Sequence, residues 1–387
     1  MSFDGYCGPQ NHGSTVCPEM QSLQVRREVK RTMTPYLLLL LFVVVVAYVG
    51  RRSGNKGVRR VSIGTLMLAL VAFAGLRDFR VGTDTSNYVQ MFMFSEAFDS
   101  VTAQETEIGY NFLAWMARNV SESYTALLLM IAAVVVSCYV PTIVKLTRRY
   151  ETALYLFITF GVYTFFFNGA RQGIAAAICF AAIPFLLQQR LTPYLVTVGL
   201  ASLFHQTAWI VLVLYPLASM RVDRRRLVAL GVATVVLVVF LQVFVGFAAE
   251  LLDDKFSAYA EEGDGGGQVW VAFLVGQGAL LYLFKDKAPD PEGYYGRLLN
   301  IYLIGLVPAL ASTFSGVNPS GILRLHLYFS SVAILLWPMV FLHFRDRSLR
   351  AVIALGVVGV TLLFFLLTTS AFSDLVPYSF NPEIAPW

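Results

Sequence analysis

Charge is scarce in this chain: Asp, Glu, Lys and Arg make up 14% of 387 residues, against 57% hydrophobic. Soluble domains average about 25% charged residues, so a fold surrounded by water on every side is excluded. Cysteine and histidine are equally sparse, at four each. No CxxC or Cys/His ligand spacing occurs, so no metal site is expected. Cys138 and Cys179 fall in apolar runs, while Cys7 and Cys17 lie in a polar N-terminal stretch that would allow a disulfide. P-loop, HExxH, GxSxG and Rossmann fingerprints are missing. There is no Asp-x-Asp clamp for a nucleotide sugar, and no cofactor is implied. The ten-residue alternation of a membrane β-barrel is absent too.

What is present is a series of long apolar runs, near 36–50, 61–76, 122–144, 152–168, 170–188, 191–204, 207–220, 227–248, 268–284, 298–313, 324–343 and 351–371. About 20 apolar residues cross roughly 30 Å of hydrocarbon. The pattern predicts an all-α polytopic membrane bundle of about twelve spans within residues 33–372, followed by a tail over 373–387.

Positive charge collects on alternate loops, among them 51–60, 145–150, 220–226, 284–297 and 343–350. By the positive-inside rule these are cytoplasmic, so the net charge of +5 needs no nucleic-acid partner. The other side, the periplasm of a bacterial inner membrane, receives the outer segment 77–121 and the acidic loop 249–267, whose glycines would suit a lid. One segment conflicts: the basic "QVRREVKR" precedes the first span on the outer side. Residues 1–32 are therefore read as a disordered tail or a start-site artefact, with Met33 the natural start. Within the outer segment, Ile108, Phe112, Trp115 and Met116 recur at helical spacing, which suits a helix lying in the interface beside a lipid-facing cleft or, equally, a short re-entrant helix packed on the bundle.

The unusual polar residues all fall on the outer side: Arg77, Asp78, Arg80 and Asp84; Glu107 and Tyr110; Asn168, Arg171 and Gln172; His205; and Arg324. Arginine there opposes the orientation rule. The sharper reading is a cavity for an anion, since the guanidinium fork matches phosphate. A plainer reading has Arg77 and Arg80 pairing with Asp78 or Asp84. His205 alone could be a hydrogen-bonded packing residue.

Five stretches occur in order: "LRDFRVGTDTSNYVQMF", "ETEIGYNFL", "FNGARQGIAAAI", "LFHQTAWI" and "RLHLYFS". Together they resemble the EpsG family of Wzy-like polysaccharide polymerases, from about Met33 to Pro338. The resemblance implies a GT-C-like membrane enzyme making O antigen or exopolysaccharide. Its substrate would be an oligosaccharide repeat unit on undecaprenyl diphosphate, with a flippase and a chain-length regulator as partners in the same bilayer. In that chemistry Arg171, Arg324, Arg77 and Arg80, with Gln172 adjacent, would hold the leaving diphosphate. His205 would serve as base, with Asp84 or Glu107 as carboxylate alternatives. Tyr88, Tyr110 and Tyr328 would contact sugars. A lipid-linked oligosaccharide flippase and an O-antigen ligase or membrane acyltransferase are the competing readings. A flippase would need polar groups near the membrane midplane, where these spans are almost free of charge.

Overall fold

The computed structural model describes residues 33–94, 107–220, 222–251, 267–286, 292–315, 319–344 and 346–382. Among them every regular element is a helix, apart from one isolated bridge between Arg77 and Phe380. Hydrocarbon offers no partner for a free N–H or C=O, so a chain this apolar must satisfy its backbone internally.

Among the described residues, eight helices are long and apolar enough to cross a membrane: Thr34–Arg52, Lys56–Gly75, Tyr124–Leu146, Tyr150–Asn168, Ala170–Leu187, Tyr294–Phe314, Gly321–Leu342 and Ser348–Ala371. The remaining predicted spans fall on the shorter helices Leu191–Ser202, Gln206–Leu217 and Gln268–Leu283, and on Arg224–Leu251. Every predicted apolar run is thus helical, and eight of the twelve fall on helices of spanning length and composition among the described residues. A helix of 12 residues such as Leu191–Ser202 rises about 18 Å, well short of a hydrocarbon layer of roughly 30 Å.

Polar caps mark several helix starts. Asn55 Oδ1 accepts from Gly57 N at 2.7 Å, Asp346 Oδ1 accepts from Ser348 N at 2.7 Å, and Ser123 Oγ accepts from Thr125 N. These residues satisfy N–H groups that have no intrahelical partner.

Tyr124–Leu146 packs against Lys56–Gly75 and Ala170–Ala181, and Ala170–Leu187 is the most deeply buried of the eight long helices. The interior is apolar, as in a soluble protein, but the periphery is apolar as well. Val61, Leu68, Val352 and Leu355 are each at least two-thirds exposed on peripheral helices, a surface that lipid covers and water does not tolerate. Inside, tyrosines tie helices together through hydroxyl donors: Tyr163 to Leu70 O at 2.7 Å, Tyr302 to Leu274 O at 2.8 Å, and Tyr194 to Val211 O at 2.6 Å. Such bonds hold helices that the hydrophobic effect cannot distinguish from lipid.

The stretch read as a C-terminal tail is built into the fold over 373–382. Gly82 N donates to Asp374 O at 2.8 Å, Asp78 N to Ser379 O at 2.9 Å, and Asn381 N to Leu76 O at 2.8 Å. Tyr36 and Tyr378 add hydroxyl bonds to Leu375 O and Phe73 O. This segment therefore clamps the turn that follows Lys56–Gly75. The predicted lid loop falls mainly on 252–266 and the N-terminal tail on 1–32, both outside the described residues.

Candidate functional site

Three connections converge at one end of the bundle. First, Leu191–Ser202 and the 3-10 turn Gln206–Val213 form a hairpin, and His205 stands at its tip with extended backbone. Second, Arg171 lies in the first turn of Ala170–Ala181, where unpaired backbone N–H groups and the helix dipole already favour an anion. Third, Glu107 is the N-cap of Ile108–Val120, yet its side chain makes no cap bond and reaches sideways.

Glu107 joins the other two. Its Oε1 lies 2.6 Å from His205 Nδ1 and its Oε2 accepts from Arg171 Nη1 at 2.6 Å. Burial pushes the Glu107 carboxyl up, but the His205 hydrogen bond and the Arg171 charge outweigh it and bring the pKa down to about 2. Glu107 is therefore an anion at neutral pH. It suits the task of orienting His205, whose Nε2 carries no protein bond among the described residues.

The close approach depends on Gly109. Its N–H donates to Leu203 O at 2.8 Å, and a Cβ there would stand 2.7 Å from the same oxygen. Only glycine lets the start of Ile108–Val120 press onto the backbone beside His205.

A second pair stands alongside. Arg324 Nη1 is 3.5 Å from Asp84 Oδ2, a loose contact between two part-exposed side chains. Gln172 Nε2 donates to Arg324 O at 3.2 Å, which ties the Arg171 helix to the Arg324 turn. Tyr88 sits among Arg171, Asp84 and Arg324, and Tyr110 sits beside Tyr88. The Tyr328 hydroxyl is 3.0 Å from Thr207 Oγ1, two residues beyond His205. The structure thus gathers Asp84, Tyr88, Glu107, Tyr110, Arg171, Gln172, His205, Arg324 and Tyr328.

Arg77 and Arg80 are placed differently from cavity-lining arginines. Arg77 is 2% exposed; it bonds Ala74 O and Thr85 Oγ1, and its guanidinium lies 4.1 Å from the centre of the Phe167 ring. Arg80 holds the fully buried Asp78 carboxylate in a two-pronged pair at 3.0 Å. Asn168 likewise works on the backbone: it accepts from Thr83 N at 3.0 Å and donates to Ser373 O at 2.9 Å. It packs so tightly on Gly82, where φ is +103°, that a Cβ would lie 2.5 Å from its Oδ1. These residues build the wall behind Asp84.

Sequence reasoning passed over Gly109 and Thr207. The signal for Gly109 was its place directly after Glu-Ile, within a stretch already singled out; Thr207 gave none.

Among the described residues, no group of three or more His, Cys, Asp or Glu side chains could hold a metal. The site is instead a charged, hydrogen-bonded cluster at one end of a polytopic helical membrane bundle. Residues 60–380 match the EpsG family, and the chain belongs to that family of polysaccharide polymerase-like membrane proteins. No curated protein and no solved structure matches the chain.

Proposed function

We propose that the chain polymerises undecaprenyl-diphosphate-linked oligosaccharide repeat units at the periplasmic face, producing O antigen or exopolysaccharide. Family membership supports the reaction class. The observation that carries the reading is the bridge from Glu107 to both His205 and Arg171. It puts a proton acceptor and a cation beside each other, with no metal ligand set required.

In this reading the acceptor hydroxyl, on the terminal sugar of one repeat unit, lies against His205 Nε2. The hydroxyl oxygen forms a bond to the anomeric carbon of the donor chain as the bond from that carbon to the diphosphate oxygen breaks. The hydroxyl proton passes to His205 Nε2. Glu107, ionised and bonded to Nδ1, fixes the tautomer and stabilises the imidazolium as it forms. The electron pair of the broken bond leaves with undecaprenyl diphosphate.

Arg171 and Arg324 face that developing charge. Preorganised cations in a site shielded from water contribute more than the same charges in bulk. The looseness of the Arg324–Asp84 contact leaves Arg324 able to exchange Asp84 for phosphate oxygens. Tyr88, Tyr110 and Tyr328 supply ring faces and hydroxyls for sugar contact. Arg77, Arg80, Asp78 and Asn168 act by holding the turn that carries Asp84.

Deleting the gene tests this reading in the cell. Surface lipid capped with a single repeat unit is expected. Chains of normal length would contradict the proposal, and polymer stranded on its carrier would point to a ligase.

A further inference from the structure

A second charged feature lies at the opposite end of the bundle. Tyr124–Leu146 begins beside Asn381 on the side of the Glu107 cluster, and its 23 residues, which rise about 35 Å, carry Lys145 in the last turn. There a hollow of about 500 Å³ is walled by Arg51, Arg59, Lys145 and Arg148, with Glu292 and Tyr294 on its far side. These residues come from three separate connections. The positive-inside rule accounts for basic loops on this side, but not for their convergence on one hollow.

The charges there are not balanced. Arg51 is paired with Glu151 at 2.8 Å, and Glu292 is engaged by the Tyr294 hydroxyl. Arg59 lies over the Tyr150 ring, 5.5 Å from its centre. Among the described residues, Arg59, Lys145 and Arg148 have no carboxylate within ion-pair distance. Three cations against the single carboxylate of Glu292 leave the hollow net positive, which favours a further anion there.

The hollow also has an apolar neighbour. A second cavity of about 200 Å³ shares Leu146, Thr147, Arg148 and Tyr294 with it and is otherwise walled by Leu187, Leu298, Leu335, Met339 and Leu342. A basic chamber sharing a wall with an aliphatic one fits an amphiphile. A free phosphate would have no use for the second chamber.

We propose that this pair of cavities is a binding site for an anionic phospholipid of the inner leaflet. Arg59, Lys145 and Arg148 hold its phosphate, and an acyl chain enters the space by Leu298, Leu335 and Met339. The inner headgroup layer is where basic pockets between helices meet such lipids. The assignment stands apart from the chemistry at the Glu107 cluster.

Native mass spectrometry of the purified full-length protein tests it, by titration with dioleoylphosphatidylglycerol, dihexanoylphosphatidylglycerol, dioleoylphosphatidylcholine and inorganic pyrophosphate. The dioleoyl anionic lipid should bind at least about tenfold tighter than the other three. The variant Arg59→Gln/Lys145→Gln/Arg148→Gln should lose that preference while keeping its thermal stability. A control of equal charge change, Arg52→Gln/Arg60→Gln/Arg350→Gln, alters basic residues outside the hollow and should retain it. Equal affinity for the two dioleoyl lipids, a preference that survives in the first variant, or equal loss in the control would each overturn the site. Pyrophosphate binding as tight as the lipid would assign the hollow to a soluble phosphate and overturn the lipid assignment.

Discussion

Glu107 and His205 are 98 residues apart in sequence, yet a carboxylate oxygen of one lies 2.6 Å from Nδ1 of the other. The same carboxylate holds Arg171 at 2.6 Å, so one anion organises both the base and the cation of the proposed reaction. Replacing Glu107 with Gln keeps the shape and removes the charge. We expect the polymerisation rate to fall by about 10²–10⁴-fold, the usual worth of a positioned acid or base. Initial rates with a lipid-linked repeat unit give the answer; a rate near that of the unaltered protein would remove Glu107 from the mechanism.

Acid should act on this pair in a defined window. The folded-state pKa of Glu107, about 2, lies below the ordinary 4.5. Its contribution to stability is therefore complete above 4.5 and is lost as pH falls through about 2. Thermal unfolding in detergent across that range should show the unaltered protein losing stability more steeply than Glu107→Gln. Parallel curves would mean that the pair is not held in the folded state.

Gly109 is a positioning residue of the same arrangement. An added methyl group would meet Leu203 O at 2.7 Å, and a backbone oxygen next to a hairpin tip cannot yield without moving His205. Gly109→Ala should lower the rate while the variant still folds and inserts. Its expected signature is a fall in kcat larger than any rise in KM, since the proton acceptor moves and the cations stay. Unchanged kcat would show that the hairpin tip is free to adjust.

Arg80 and Asp78 give a prediction of the opposite kind. Arg80→Ala strips the buried Asp78 carboxylate of its cation; the Arg80 side chain is itself 67% exposed, so water can reach its place and the cost should be about 1–3 kcal/mol. The loss should appear in thermal stability and be largely relieved in the double variant Asp78→Asn/Arg80→Ala. If Arg80→Ala abolishes polymer at full stability, Arg80 touches substrate after all.

Much of the architecture was legible because hydropathy reports helices directly: each apolar run from 36–50 to 351–371 falls on helix, although 152–168, 170–188, 207–220 and 324–343 are each broken into shorter pieces. The charge rule went further. It marked Arg171 and Arg324 as out of place, and both stand in the cluster. The same rule also marked Arg77 and Arg80, because a local sequence cannot show whether a guanidinium points into a cavity or under its own turn. Their difference arises from Phe167 and from the segment 374–381, which lie far along the chain. That segment was read as a tail because its attachment is mostly backbone hydrogen bonding, which leaves no trace in hydropathy. The short lengths of Leu191–Ser202 and Gln206–Leu217 were hidden for a related reason, since an apolar run does not show where its helix breaks.

The most direct test of the central claim is extension of a purified undecaprenyl-diphosphate-linked repeat unit by the purified protein alone, resolved by chain length on a gel. The account predicts a ladder of products with release of undecaprenyl diphosphate, and no ladder from Arg171→Ala or His205→Ala folded to the same extent. A protein that yields no ladder under any condition, or an Arg171→Ala variant that builds full-length chains, would contradict it.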